Sequence, residues 1–404
     1  YIYGIICAAF LTGKYDFLRV FMSEVIKIIH TGDVHLDSPF SGLSPDRAEM
    51  RKTELRATFD SLISFVRSGG VDILLIAGDL FDSGFATHDT VELLRRGFEK
   101  IPDCKIIISP GNHDPYVKDS VYARAHFPKN VYIFKTDRQE RFEFPELDAD
   151  IYGYAFTGET MTECPIAPVI ENDRFKILCA HAHLGSPLSP SAPLSTEKLL
   201  RCGFDYAALA HVHNPPPIAK SERCVYGYCG CLEGRGFDER GEKGAIYAEL
   251  SKNESGEKKI EVRKIPFAKR RYEIAEVNVT GSGSEGVIIS KINDIIMERG
   301  FDESTALRAV LKGRLSPSVV ISEKKIAAGV SGVFSLGIKD ETTADFDDDY
   351  LASDPTIKGE FYRILKPQLE SPDENVRRRA MRALGYGMAA MTGDSISDVT
   401  EGAE

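Results

Sequence analysis

The sequence predicts an α/β fold arranged in more than one domain. Three observations carry that expectation. Short apolar runs rich in β-branched residues alternate with stretches of helical periodicity through the first third of the chain. Five of the apolar runs end in Asp, Asn or His. Beyond a basic, proline-containing stretch at 266–271 the alternation starts again. At ~150 residues per domain the length allows two or three domains.

Val25–Ile29 reads as a buried strand. A helix is expected from near Ser44 to Ser68, because Leu55, Phe59, Leu62, Ile63 and Val66 recur at helical spacing and Gly69-Gly70 closes it. Ile73–Ala77 is the second strand. A helix from about Asp89 follows, with Val91, Leu94, Phe98 and Ile101 on one face, and Lys105–Ser109 is the third strand. Further strands are expected at Val131–Phe134, Ile151–Tyr154, Lys176–Ala180, Tyr206–Ala210 and Cys224–Tyr228. Several intervening gaps are too short for a helix, so this half should be antiparallel or mixed. Gly244–Leu250 and Ile260–Ile265 read as a hairpin around a polar turn.

After the boundary, Glu276–Thr280 reads as a strand, Ser284–Arg299 as an amphipathic helix and Leu307–Gly313 as a strand. Glu341–Tyr350 is acidic and reads as a solvated linker. Pro355–Met391 has helical periodicity, and the tail beyond Thr392 has no core-forming pattern. The expected organisation is an upstream extension at 1–21, a catalytic domain at 22–265, a small α/β capping domain at 266–340, a linker with C-terminal helices at 341–392, and a disordered tail at 393–404. The opening apolar run, Tyr1 to Leu11, is short for a membrane helix and lacks a basic flank. Residues 1–21 are therefore expected to stand outside the fold, which begins at Met22.

Composition narrows the class. Hydrophobic residues make up 43% and charged residues 27%, as in ordinary soluble globular proteins. The eight cysteines show no framework of paired spacings, which fits reduced thiols and a cytoplasmic location. Cys229-Gly-Cys231 lacks the second half of a zinc site and reads as two buried thiols. A net charge of −11 argues against coating nucleic acid through bulk charge. It leaves room for a local positive field from bound metals.

The strand ends carry the chemistry. They read Asp33-Val34-His35, Gly78-Asp79-Leu80-Phe81-Asp82, Gly111-Asn112-His113-Asp114, His181 and His211-Val212-His213. In open α/β sheets, ligands bind outside the carboxyl ends of the strands, so these residues should form one cluster. Residues two apart on extended chain point the same way, which lets Asp-x-His and His-x-His face a shared ion. A single buried Asp or His is usually a cap or a hydrogen-bonded core group. Five strand ends bearing such groups would cost several kcal/mol each without a cation. Mixed carboxylate, carboxamide and imidazole donors suit manganese, iron or zinc better than magnesium or calcium.

In that order, these motifs resemble the calcineurin-like metallophosphoesterases over about residues 25–250. Asp33-Val-His-Leu-Asp-Ser-Pro-Phe, Gly78-Asp-Leu-Phe-Asp and the later Gly230, Phe237-Asp-Glu239 and Lys243-Gly244 are similar to the SbcD/YhaO-type DNA repair exonucleases. The resemblance implies a mixed-sheet sandwich flanked by helices, with two metal ions, manganese foremost. Asp33, His35 and His213 would hold one ion, and Asn112, His181 and His211 the other, with Asp79 between them. His183 offers an alternative two residues beyond His181. His113 would act on the scissile phosphate as acid or transition-state donor, with Asp82 orienting it. Such a centre activates a water and polarises the phosphate together.

The same resemblance implies DNA as substrate and a coiled-coil ATPase of the SbcC type as partner, with a homodimer also open and no membrane. The C-terminal helices would supply the docking face. Lys258, Lys259, Arg263, Lys264, Lys269, Arg270 and Arg271 form the most basic stretch. The last three are candidate DNA contacts, and a solvated hairpin and linker is the competing reading. A phosphatase or nucleotide phosphodiesterase, and a non-catalytic adaptor, are the other functions this chemistry allows.

Overall fold

The structure is a computed structural model, and it describes residues 25–41, 43–82, 86–315, 319, 321–345 and 348–392. The expected N-terminal extension and C-terminal tail lie outside the described residues. The chain divides into two compact units, with the division between Lys269 and Arg270.

In the first unit, β1 (Ile26–Thr31), α1 (Pro45–Gly69), β2 (Ile73–Ile76), α2 (His88–Glu99) and β3 (Lys105–Ile108) follow the expected alternation. After them come α3 (Val121–Arg124), β4 (Val131–Ile133), β5 (Glu140–Phe144), β6 (Ala149–Gly153), β7 (Phe175–His181), β8 (His183–Leu184) and β9 (Pro193–Leu194). The unit closes with α4 (Thr196–Arg201), β10 (Tyr206–Ala210), β11 (Ala219–Lys220), β12 (Val225–Tyr228), β13 (Gly244–Lys252) and β14 (Lys258–Pro266).

Two six-stranded sheets result, ordered β14-β13-β1-β2-β3-β4 and β11-β12-β10-β7-β6-β5. In the first, β1 to β4 are parallel and the β13–β14 hairpin adds antiparallel to β1. In the second, the inner pairs β6–β7, β7–β10 and β10–β12 are parallel and only the edges are antiparallel. Mixed sheets were expected, but not a parallel centre. Chain with little helix crosses the outer face here, burying Phe156, Cys164, Ile166 and Leu199 where a longer helix would ordinarily lie.

Strand periodicity assigns the layers. Ile28, Ile73, Leu75 and Ile107 face Ile151, Ile177, Tyr206 and Ala208 between the sheets. Ile29, Leu74, Ile76, Ile106 and Ile108 turn outward against Leu55, Phe59, Leu62, Leu94 and Phe98 of α1 and α2. Each such side chain contributes about 1.5–3 kcal/mol on burial. Gly70 stops α1 at φ 58°, its N–H returning to the Val66 carbonyl. The side chain of Thr87 caps α2 by accepting from the Thr90 N–H. The parallel strands β1, β2, β3, β7 and β10 therefore deliver their carboxyl ends to one edge of the sandwich.

The second unit holds β15 (Arg271–Asn278), α5 (Glu285–Glu298), β16 (Thr305–Leu315), α6 (Glu323–Gly329) and β17 (Ser335–Ala344), then α7 (Asp348–Ser353), α8 (Ile357–Leu369) and α9 (Glu374–Thr392). Its three strands are parallel in the order β15-β16-β17. Two sequence expectations need correction. The strand placed at Glu276–Thr280 begins at Arg271 and ends at Asn278. Glu341–Ala344, read as linker, completes the ladder with Lys312–Leu315. The second was hidden because the acidic and threonine residues at this end of the edge strand β17 lack apolar alternation. The helical stretch at 355–391 is two helices, broken around Ser371-Pro372 and sharing a small core of Tyr362, Leu365, Leu384 and Met388.

The seven cysteines among the described residues are buried free thiols, Cys229 and Cys231 included. No described helix is long and apolar enough to cross a membrane.

One buried group gives the fold a pH dependence. His30 of β1 is fully enclosed, with Nδ1 on the Tyr206 hydroxyl at 2.9 Å and Nε2 on the Leu209 carbonyl at 3.0 Å. Burial lowers its pKa from 6.5 to about 4, against the backbone bond that favours protonation. The unfolded imidazole therefore takes up its proton first as pH falls, and the His30 contribution erodes between pH 6.5 and 4. At 1.36 kcal/mol per unit this approaches about 3 kcal/mol. In urea denaturation, the stability gap between wild type and His30→Gln should narrow by that order from pH 7 to pH 4. A gap independent of pH would contradict the assignment.

Candidate metal centre

The first two strand-end loops are tied together before any side chain is considered. The N–H groups of Asp33, His35 and Leu36 donate to the carbonyls of Gly78, Asp79 and Leu80 at 3.0, 2.9 and 3.0 Å. Asp33, His35, Asp79 and His211 adopt positive φ of 46, 48, 51 and 116°. Non-glycine residues are rarely held there, and such strain concentrates at functional sites. Two glycines permit the crowding. A Cβ on Gly78, whose φ is 99°, would lie 2.6 Å from the His181 Nδ1, and one on Gly111 would overlap the Asp79 carboxylate.

All seven residues expected as ligands come together. Asp33, His35 and His213 form one group, with the His35 and His213 Nε2 atoms 3.4 Å apart and Asp33 Oδ1 3.8 Å from His213 Nε2. The His181 Nε2 lies 2.9 Å from Asn112 Oδ1 and 3.4 Å from Asp79 Oδ2, and its ring is 5.1 Å from that of His211. Asp79 Oδ2 is also 3.8 Å from His35 Nε2, so this carboxylate stands between the two groups. His183 lies beside His211, their ring centroids 5.1 Å apart.

In three of the four rings the outer nitrogen has an acceptor. His35 Nδ1 meets Asp82 Oδ1 at 2.7 Å, His213 Nδ1 meets Glu239 Oε1 at 2.7 Å, and His181 Nδ1 meets the Ala77 carbonyl at 3.1 Å. These partners fix the tautomer and turn three Nε2 atoms inward. Two Nε2 atoms facing each other beside buried carboxylates fit a shared cation far better than a protein-only hydrogen-bond network. The donor set therefore fits divalent ions.

His113 stands apart. Its side chain is 53% exposed, its ring is 4.9 Å from His35, and its Nδ1 meets the same Asp82 oxygen at 3.2 Å. That hydrogen bond raises its pKa above the ordinary imidazole value, more than partial burial lowers it. Burial opposes ionisation of Asp82, yet the bonds from His113 and His35 outweigh it and hold its carboxyl far below the usual range. Burial and the neighbouring His181 and His183 lower His211 to about 4, keeping it neutral.

Two orienting residues escaped the sequence reading. Asp114 is buried and accepts from the N–H groups of Asp79, Leu80 and Gly111 at 3.0, 2.7 and 2.6 Å and from the Tyr122 hydroxyl at 2.6 Å. Burial and the Asp79 charge push its carboxyl up to about 7 against those donors. Glu239 is the acceptor for His213. Both stood inside motifs already singled out, but their acceptor role depends on contacts that spacing does not reveal.

Each residue of the basic trio has contacts of its own. Lys269 is exposed, and its backbone N–H donates to Glu233. Arg270 lies 3.7 Å from the Phe334 ring centre and donates to the Glu303 carbonyl at 2.6 Å. Arg271 donates to the Gly300 carbonyl at 3.4 Å and lies 5.4 Å from the Phe301 ring centre.

Comparison with known proteins agrees with this geometry. The profile of the calcineurin-like phosphoesterase family matches residues 26–240, more than half the chain. The chain belongs to the calcineurin-like phosphoesterase family. It is 26% identical over 302 residues to the Bacillus subtilis (strain 168) protein named "Uncharacterized metallophosphoesterase YhaO", covering 71% of this chain and 72% of that one. Among solved structures, TT1561 of Thermus thermophilus aligns with 60% of this chain and 99% of its own, at 12% identity and a TM-score of 0.35. The purple acid phosphatase PPD1 of yellow lupin seeds aligns with 60% of this chain and 52% of its own, at 13% identity and a TM-score of 0.35. Calcineurin-like phosphoesterases use a dinuclear metal centre, and the clustered residues supply candidate groups for one.

Glu239 offers a direct check on the orienting shell of this phosphoesterase. Glu239→Ala releases the His213 ring and should weaken Mn2+ binding by about 10–100-fold in calorimetry, with an unchanged circular dichroism spectrum. Wild-type affinity in the variant would remove Glu239 from the centre.

Proposed function

We propose that the protein is a dinuclear-metal phosphodiesterase that cleaves DNA. The observation that carries the hydrolytic half is the convergence of Asp33, His35, Asp79, Asn112, His181, His211 and His213, with His113 held separately by Asp82. Two divalent ions, with manganese the first candidate, would supply positive charge and an activated water. The proposed ligands bring two carboxylates, Asp33 and Asp79, so the occupied site stays cationic and attracts a phosphate diester. His35 and His213 would hold one ion through their Nε2 atoms, and the His181 Nε2 with the Asn112 Oδ1 the other. Asp82 holds His113 through Nδ1, leaving Nε2 to give a proton to the leaving oxygen. The exposure of His113 leaves room for a substrate.

DNA as the substrate is supported by the SbcD/YhaO-like motifs at Asp33–Phe40 and Glu239, and by a second unit beyond the phosphoesterase core. Cytoplasmic DNA processing with a coiled-coil ATPase follows from the same resemblance. Tyr350, Ile357 and Ile364 in α7 and α8 are 64, 74 and 61% exposed, an apolar surface suited to such a partner.

Two experiments test this reading. With Mn2+ the protein should degrade labelled single- or double-stranded DNA faster than it hydrolyses p-nitrophenyl phosphate. His113→Ala should bind the metals normally and lose about 10²–10⁴-fold in rate. Turnover of the monoester alone would make the protein a phosphatase. Metal lost in proportion to activity would make His113 a ligand. Separately, Ile357→Glu with Ile364→Glu should abolish pull-down of a coiled-coil ATPase without changing DNA cleavage, and undiminished pull-down would exclude this surface.

A further inference from the structure

Between β12 and β13 the chain returns to the site through a loop fixed at two buried acids. Glu233 is fully buried with Arg51 of α1, at 2.8 Å, and also accepts from the Thr58 hydroxyl at 2.8 Å. Glu239 accepts from His213 and, through Oε2, from the Arg235 N–H at 2.7 Å. Arg235 thus stands on a rigid support beside the proposed centre. Its Nε and Nη2 both reach Glu239 Oε1, at 3.2 and 2.8 Å, and Nη2 lies 3.2 Å from His213 Nδ1. Among the described residues, Nη1 has no protein acceptor, and the side chain is 20% exposed.

We infer that Arg235 holds a non-bridging oxygen of the substrate phosphoryl group, presenting Nη1 from the His213 side of the centre. The alternative is an ion pair that only steadies Glu239. Glu239 is already supplied by the His213 ring and the Arg235 main chain, with the Cys231 sulfur 3.6 Å away. The guanidinium is therefore not required to satisfy it. Instead it adds a fixed positive charge next to His213, with Nη2 3.2 Å from the ring nitrogen. Such a charge attracts an anion, and the fork of a guanidinium matches phosphate oxygens. The inference rests on the two-metal reading, extends it to a substrate-contacting residue and applies to mono- and diesters alike.

The test uses the full chain loaded with Mn2+, with inorganic phosphate as the calorimetric probe and bis(p-nitrophenyl) phosphate as the kinetic one. Arg235→Gln should weaken phosphate binding and raise KM by about 10–100-fold, the range of a hydrogen bond to a charged group, with Mn2+ affinity unchanged. Arg235→Lys should recover part of the loss, because it keeps the charge without the fork. Unchanged phosphate affinity with weakened Mn2+ binding would overturn the inference and leave Arg235 as a support for Glu239. If the Gln variant fails to fold, the Lys variant decides: wild-type phosphate affinity and KM overturn the proposal. Wild-type protein that binds no Mn2+ would instead reject the two-metal reading, a separate and recognisable failure.

Discussion

Asp79 is held from every side, and the catalytic unit is organised around that restraint. Its N–H donates to Asp114, its carbonyl accepts from the His35 N–H, and its Oδ1 accepts from the His113 N–H at 2.9 Å. Only Oδ2 remains, facing His181 on one side and His35 on the other. Burial raises the cost of ionising this carboxyl, yet His181 and His35 outweigh it and keep its pKa below the usual range. A buried anion fixed in left-handed backbone, among rings whose outer nitrogens are already engaged, is a poor design for stability. It is a good design for binding cations, because little reorganisation is left to occur when they arrive.

The fold follows from the same demand. Parallel strands bring their carboxyl ends to one edge, and two sheets bring two sets of ends together. Asp33, Asp79 and Asn112 come from the first sheet, and His181, His211 and His213 from the second. The sandwich interior, with Ile28, Leu75, Ile177 and Ala208, therefore sets the spacing of the centre. Glu233, paired with Arg51, anchors the last loop to α1, so that Glu239 and Arg235 approach the same point. This links packing on the outer helix to the chemistry of the centre.

Much of this was legible before the fold was known, because ligands must sit at strand ends and strands announce themselves by apolar runs. Asp33, His35, Asp79, Asn112, His181, His211 and His213 all fell at such ends. What spacing does not encode is the partner of each candidate ligand. Asp114 and Glu239 act through contacts made only in three dimensions. Asp37 illustrates the converse. It continues the Asp33, His35 alternation, yet it turns away, at φ 65°, to pair with Arg56 and accept from the Thr87 N–H before α2. In the second unit, β17 was missed at its acidic end because its acidic and threonine residues lack the apolar alternation by which strands are read. Arg270 and Arg271, candidate DNA contacts in sequence, lie against Phe334 and Phe301.

The central claim is that two ions sit on either side of Asp79. Anomalous diffraction at the manganese edge, from crystals grown with Mn2+, tests it most directly. The account predicts two peaks about 3.5–4 Å apart, one beside Asp33, His35 and His213 and the other beside Asn112, His181 and His211. A single peak between His35, Asp82 and His113, another cluster with metal-like spacing, would contradict both the ligand set and the role given to His113.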